Sequence, residues 1–426
     1  MNTPQERRVA YLASGAHFFT HGFMTLLPAL LVIITGIEGI SFFTIGLIGN
    51  IGYFLYGLGS IPAGMLTDRY GPKRMLTLGV GGMAVASILV GLSRAGWFFA
   101  AAYGLFGLFA SIYHPAGLSL IARHIEKKGR ALGLHGVFGN VGLSLAPLFA
   151  GGMAYLFNTW RAAFLSFGAL GLLYAVILHR SRIEGEKDLS VRALLNALKG
   201  RKSSMHEETE RQKREEVVIS VPLLLLYAGA VLFGYMYRGT LTFFPTLFQQ
   251  EINYISTRYP PEPTLLAGLL TSGIIGCGMV GLWMAGRVLD RVREPVWIQI
   301  VVFILSAPLL YMIGRSSELP LVVYSAIYSL VFFGWQPVQN ALVARYTSRK
   351  SHGRGYGVNF FLIMGVGSIV TSIGGYLTDR FGAYMVYNML AVVSLAGIVI
   401  YVAVLRVRGY SVRVRYSIQR EEGVPE

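Results

Sequence analysis

The sequence predicts an all-α polytopic membrane protein, with twelve transmembrane helices in two pseudo-symmetric six-helix bundles. Three observations lead there: a shortage of charge, a succession of apolar runs of spanning length, and landmarks that recur half a chain apart. Of 426 residues, 14% are charged and 54% are hydrophobic, whereas a soluble domain is about a quarter charged. Ten positive and eight negative side chains fall between Arg180 and Glu216, leaving 40 of the 58 charges for the other 389 residues. A spanning helix takes about 20 mostly apolar residues, so twelve of them fit with short loops, one long loop and two tails. A single soluble core does not account for so many apolar runs with so little polar chain between them.

Apolar runs set against charged breaks place the helices near 9–35, 42–64, 76–93, 97–122, 131–156, 161–179, 218–249, 264–288, 296–313, 319–344, 355–378 and 383–405. The first has Arg7 and Arg8 before it, as a leader peptide would, but its apolar run continues past Gly22 and Pro28 without a small-residue cleavage site, so it is read as a retained helix. The second and third are parted by Arg69, Lys73 and Arg74, the third and fourth by Arg94, and the fourth and fifth by Arg123, Lys127, Lys128 and Arg130. After the sixth comes the charged loop whose densest part is EETERQKREE, a composition that reads as a solvated tether or a short surface helix. Arg287, Arg291 and Arg293 follow the eighth helix, and Arg345, Arg349, Lys350 and Arg354 follow the tenth. The intervening connections are sparse in basic residues.

This alternation is the positive-inside bias, and it places both termini and the central loop in the cytoplasm. The expected division is a bundle over 1–179, a cytoplasmic linker over 180–216, a second bundle over 217–406 and a basic tail over 407–426. The formal charge of +16 is then mostly topology rather than a nucleic-acid signal. The single Cys277 excludes an intrachain disulfide framework.

The halves repeat. HGFMTLLP, His21 to Pro28, has its counterpart in RGTLTFFP, Arg238 to Pro245. GMLTDRYGPKR, Gly64 to Arg74, is echoed by GRVLDRVRE, Gly286 to Glu294, with Asp290 answering Asp68. GRALG at Gly129 matches GRGYG at Gly353, and Gly151-Gly152 matches Gly374-Gly375. Four landmarks in one order at nearly one offset indicate a duplicated six-helix unit, an architecture common among secondary transporters.

GMLTDRYGPKR resembles the loop motif Gly-x-x-x-Asp-Arg-x-Gly-x-Lys/Arg of the major facilitator superfamily, and the copy at Gly286 to Arg291 stands where that family has its second one. The resemblance covers residues 9 to 405. HFFTHGFMTLLPALL, YHPAGLSLIA and GRALGLHGVFGNVGLSLAPLFAG look like the fosmidomycin-resistance group of efflux proteins, although this chain has His21 and Ala116 where that group usually has acidic residues. The resemblance implies a non-enzymatic transporter of the inner (plasma) membrane, functional as a monomer and working by alternating access. It favours proton-coupled efflux as an antiporter, with uptake or facilitated movement of an organic anion, carboxylate or phosphate ester as the alternative. The chain has no phosphate-binding Walker loop, and no paired Cys/His spacing marks a metal site. Neither a cofactor nor a resident metal is expected.

In the loop motif, Asp68 is expected just after helix 2, where a carboxylate accepts hydrogen bonds from the first amides of a neighbouring helix and pairs with a nearby Arg. Gly64 and Gly71 permit the close approach and the turn. Arg69 and Arg74, with Asp290 and Arg291 of the second copy and Arg130 of GRALG, complete the expected gating set.

Ionisable groups at bilayer depth concentrate on bundle interiors and transport paths. They are few: His17 and His21 in helix 1, His114 before Pro115 in helix 4, His135 near the mouth of helix 5, and Arg238 in helix 7. No Asp or Glu lies deep in a span, so the fixed charge of a central cavity is positive or neutral and suits a small anionic or polar molecule, with protons relayed by histidine. Arg238 offers the planar fork suited to phosphate or carboxylate. Tyr53 in helix 2, Gln336 in helix 10, Asn140 in helix 5 and Asn359 in helix 11 are the neutral candidates for lining that path, with helix-to-helix bonding as their plainer use.

Overall fold

In a bilayer every backbone amide and carbonyl must find its partner within the protein, and a helix does so within one segment. The computed structural model describes residues 3–126, 128–186, 220–289, 291–347 and 352–407. Most of the central linker, residue 290 and the basic tail from 408 onward lie outside the described residues.

Twelve helices are long and apolar enough to cross a membrane: α1 (Pro4–Glu38), α2 (Phe42–Tyr70), α3 (Pro72–Leu92), α4 (Gly96–His124), α5 (Gly129–Phe157), α6 (Arg161–Arg180), α7 (Val221–Glu251), α8 (Glu262–Leu289), α9 (Val296–Ile313), α10 (Glu318–Tyr346), α11 (Gly355–Phe381) and α12 (Tyr384–Arg406). Thr3 and Glu6 start α1 with a reciprocal capping box, and Gly39 ends it at φ +65°. Two helices break at matching places. α4 divides into Gly96–Ala110 and Tyr113–His124, and α10 into Glu318–Phe332 and Trp335–Tyr346. Pro115 and Pro337 each lie in the first turn after the break, where a missing N–H is tolerated.

Most ends fall within a few residues of the sequence expectation, but α2 continues to Tyr70. Asp68 therefore sits in the last helical turn and not in a loop beyond it. Trp160 is buried at 1% exposure and donates its indole N–H to Glu38 at 2.9 Å, beside the 2.7 Å Arg161–Glu38 pair.

Helices α1 to α6 and α7 to α12 form the two bundles, which meet along α2 with α11, α5 with α8, and α1 with α7. With an even number of crossings, both described ends of the chain lie at one end of the molecule, called here the terminal end. Between described residues, the hydrogen bonds joining the bundles fall at or beyond mid-helix on the opposite side. Asp379 takes the Phe42 and Phe43 amides at 2.9 and 2.8 Å, Thr371 donates to the Gly46 carbonyl at 2.9 Å, Asn50 bonds Ser368 and Ser372, and Ser144 donates to the Ser272 carbonyl at 2.7 Å. Gly46 lies against the Thr371 carbonyl so closely that a Cβ has no room. Toward the terminal end, Gly129, Gly133, Gly286 and Gly357 face no described atom within 4 Å of a built Cβ. Among the described residues, the bundles are hydrogen-bonded to each other toward the opposite end and not at the terminal end.

A second internal resemblance runs between opposite ends. GMLTDRYG at Gly64–Gly71 and GYLTDRFG at Gly375–Gly382 share Gly, Leu-Thr-Asp-Arg, an aromatic residue and a final Gly. Both close a helix the same way: Gly71 at φ +92° and Gly382 at φ +104° donate to the Thr67 and Thr378 carbonyls, while each Thr hydroxyl bonds four residues back.

Candidate functional site

His17 and His21 stand four residues apart on α1 and so share one face. The His17 ring fits between α1 and α5 because position 139 is glycine; a Cβ there would overlap the imidazole. His17 Nδ1 lies 2.7 Å from the backbone oxygen of His135, which can only accept, so Nδ1 carries the hydrogen and Nε2 presents a lone pair. That lone pair meets His21 Nε2 at 3.0 Å.

The break in α4 brings Tyr113 and His114 to the same place. Tyr113 stacks on His17 at 5.0 Å, and its hydroxyl lies 3.1 Å from His135 Nε2 and 3.3 Å from the Ala13 carbonyl. The His114 ring is 5.5 Å from His17 and 5.8 Å from His21, and it touches Phe360 of the other bundle at 5.0 Å. Four imidazoles and a phenol are thus gathered on α1, α4 and α5, with no carboxylate bonded to them among the described residues. His21 Nδ1 is buried without a hydrogen-bond partner.

Arg238 approaches from α7. It is 2% exposed, its guanidinium lies 3.9 Å over the ring of Tyr53 and 5.3 Å from that of Tyr237, and Nη2 rests 2.8 Å from the Met364 sulfur. Tyr53 is fixed there by its hydroxyl, which donates to the Met24 carbonyl at 2.5 Å. Among the described residues no carboxylate pairs with Arg238, and its Nε has no partner. A buried charge ordinarily finds a counter-charge or a full set of hydrogen bonds; here a thioether and an aromatic face stand in for them. Arg238 and His21 are equivalent in the repeat, and the hydroxyl of Tyr56, whose ring stacks 6.3 Å from that of His114, is buried without a hydrogen-bond partner.

The structure therefore assembles His17, His21, His114, Tyr53 and Arg238 at the centre, and draws in His135, which position alone placed nearer the mouth. The other neutral candidates make different contacts. Gln336, the repeat counterpart of His114, is exposed, and Asn140 spends its amide on the Gly136 carbonyl of its own helix. Asn359 accepts from Gln339 at 2.9 Å in a buried network with Tyr401 and Trp335 that ties α7, α10, α11 and α12 together. Sequence reasoning passed over Tyr113, Tyr237 and Met364. The adjacency of Tyr113 to His114 and of Tyr237 to Arg238 was the available signal.

In the loop motif Asp68 is exposed and pairs with Arg123 of its own bundle at 3.1 Å; among the described residues it caps no neighbouring helix. Arg69 is exposed 5.5 Å from Tyr70, Arg74 and Gly64 are half-buried, and Arg130 and Arg291 are exposed. Asp290 lies outside the described residues. A cavity of about 1040 Å³ opens at the terminal end of the first bundle, lined by Arg8, Arg123 and Arg182 together with Glu6, Glu126 and Glu184. Its mixed charge selects no ion, and it includes none of the central residues.

Comparison with known proteins identifies the architecture. A 24% identical stretch of 263 residues, 59% of this chain and 57% of the relative, aligns with a "Probable hexose phosphate transport protein" of Chlamydia trachomatis. A "Probable L-galactonate transporter" of Escherichia coli K12 is 27% identical over 164 residues, 37% of this chain and 36% of the relative. "Multidrug resistance protein MdtG" of Citrobacter koseri is 26% identical over 258 residues, 57% and 63% of the two chains. The chain thus spans between about a third and two thirds of these relatives' lengths, and they do not single out the fosmidomycin-resistance group. A bacterial homologue of the human lysosomal transporter Spinster, solved in an inward-facing conformation, superposes with a TM-score of 0.76 at 14% identity, covering 96% of this chain and 98% of that one. The sequence profile of the Major Facilitator Superfamily matches residues 12–372. With twelve spanning helices in two repeated bundles and most of the chain inside that profile, this protein belongs to the major facilitator superfamily.

Proposed function

We propose that the protein is a secondary transporter that moves a small organic anion through the bilayer by alternating access, with Arg238 as the group that receives it. The carrying observation is the buried guanidinium of Arg238, which pairs with no carboxylate among the described residues and has its Nε unpartnered. An entering carboxylate or phosphate supplies the missing acceptors in bidentate form, and the hydroxyl of Tyr56 offers a further donor. In this reading both termini and the loop between the bundles face the cytoplasm, and with the bundles hydrogen-bonded toward the opposite end this is an inward-facing conformer. The protein acts as a monomer in the inner membrane.

Proton-coupled efflux is the leading direction, with His21 and its neighbouring imidazoles as the proton path in place of a carboxylate. Uptake of a sugar acid or sugar phosphate is the second reading, favoured by two relatives whose names carry such anions.

The test uses purified protein in liposomes with imposed pH and voltage gradients, and galactonate and glucose 6-phosphate as probes within a wider panel of organic anions and neutral analogues. Anion movement opposite to protons supports exchange, and movement with them supports uptake. Arg238→Ala is expected to abolish anion movement, at least a hundredfold, with the folded protein recovered in normal yield. Unchanged anion transport by that variant, or transport restricted to neutral compounds, would remove Arg238 from the site.

A further inference from the structure

We propose that His17, His21 and His114 form a binding site for one divalent transition-metal ion of the zinc class, set between α1 and α4 in the amino-terminal bundle. One ring nitrogen from each of the three residues can be chosen so that all three atoms lie within 4.8 Å of one another. At metal–nitrogen distances near 2.0–2.1 Å, tetrahedral geometry sets neighbouring nitrogens about 3.3 Å apart. The His17–His21 pair, at 3.0 Å, is already close to that spacing. The His114 nitrogen lies no more than 4.8 Å from either of them.

Two further features favour a metal over a purely hydrogen-bonded cluster. His17 donates Nδ1–H to the His135 carbonyl at 2.7 Å, the outer bond that fixes the tautomer and orientation of a metal-bound histidine, and so leaves Nε2 free to coordinate. The cluster is also incompletely satisfied by its own bonds: no hydrogen bond joins the His114 ring to another described residue. The spacing of His17 and His21 is the i, i+4 spacing with which one helix face presents two imidazoles to zinc.

Imidazole-only donors select Zn²⁺, Co²⁺, Ni²⁺ or Cu²⁺ over Mg²⁺ and Ca²⁺, which take oxygen ligands. The surroundings set the remaining requirement. Tyr56 from α2, Tyr113 from α4, His135 from α5 and Arg238 from α7 face the triad. None of them is an acid, and the fixed charge is positive. Three neutral ligands leave the ion with its full charge, so the fourth position takes an anion, chloride in simple buffers.

The experiment uses full-length protein without a histidine tag, stripped with chelator and titrated in chloride buffer with Co²⁺ and then Zn²⁺. The expected result is one equivalent of Co²⁺ with the visible bands of four-coordinate geometry, displaced by Zn²⁺ and unaffected by excess Mg²⁺. His17→Gln, His21→Gln and His114→Gln should each weaken Zn²⁺ binding at least tenfold, while His124→Gln, His179→Gln and Cys277→Ser leave it unchanged. If one triad variant does not fold, the other two decide. Absence of a saturable one-to-one signal, binding by the triad variants equal to the parent, or equal competition by Mg²⁺ overturns the site. Anion transport lost with Arg238→Ala but with no metal bound would sink this inference alone, whereas metal bound without anion transport would sink only the function proposed above.

Discussion

The two ends of the molecule carry nearly the same octapeptide and use it differently. At the terminal end, GMLTDRYG finishes α2, and among the described residues its Asp68 pairs with Arg123 in the same bundle, with the Asp68 side chain 80% exposed. At the opposite end, GYLTDRFG finishes α11, and its Asp379 accepts the first two amides of α2 across the interface. The local chemistry is shared: a threonine bonded back into the helix, a left-handed glycine, an aspartate in the last turn. What differs is the neighbour. A helix start offers unpaired N–H groups and the positive end of a dipole; among the described residues Asp379 faces one and Asp68 does not. The motif is therefore a carboxylate held ready at a helix end, and it joins the bundles wherever their approach brings a helix start to it. At the opposite end, glycine allows the close approach as well: Gly46, Gly375 and Gly151 touch backbone of the other bundle.

The largest effect should come from filling the opposite end. Gly46→Val places carbon against the Thr371 carbonyl, and overpacking of this kind costs about 1–3 kcal/mol. Because the strain is relieved when α2 and α11 separate, it should move the conformational balance away from this state roughly fivefold to a hundredfold. Thiol labelling at Ser372→Cys, in a Cys277→Ser background, reads this directly, because residue 372 is buried beneath Asn50 in this conformer. Labelling that does not rise would show that the joining of the bundles does not depend on that contact. Asp379→Asn comes next. It weakens two charge-assisted bonds at an exposed position, about 1 kcal/mol or less in total, and should raise labelling no more than about fivefold. A larger rise would make Asp379 the principal lock, above the packed glycines.

Most of this architecture is legible in the sequence because its causes are local. Apolar length sets the spans, breaks of charge set their ends, and duplication gives both copies in one order. The central residues were legible for a related reason: an imidazole or guanidinium inside an apolar run is costly, so His17, His21, His114 and Arg238 stand out. Which partners they meet was not legible. His135 was placed near the mouth by its distance from Arg130, yet its carbonyl and ring complete the cluster because glycines at 139 and 142 let α5 lie close against α1. In α10, Gln336 is exposed just after the break while Gln339 turns inward to Asn359, a partner that spacing alone does not give. The Asp379 segment escaped notice because a search for duplication compares the same end of each half, and this copy lies at the opposite end.

The smallest expected effect is the sharpest check on the comparison. Asp68→Asn removes an exposed ion pair within one bundle, and such a pair contributes between about 0 and 1 kcal/mol, so thermal stability should scarcely move. Labelling at Ser372→Cys should stay at the parent value, because Asp68 bonds to no described residue of the second bundle in this conformer. Transport turnover is the separate readout. If the carboxylate serves only when the terminal end closes and brings a helix start of α11 or its neighbours toward it, turnover falls while labelling at 372 holds steady. Equal rises in labelling from Asp68→Asn and Asp379→Asn would mean that the two carboxylates act on one equilibrium through charge alone, and the distinction drawn from their neighbours would fail.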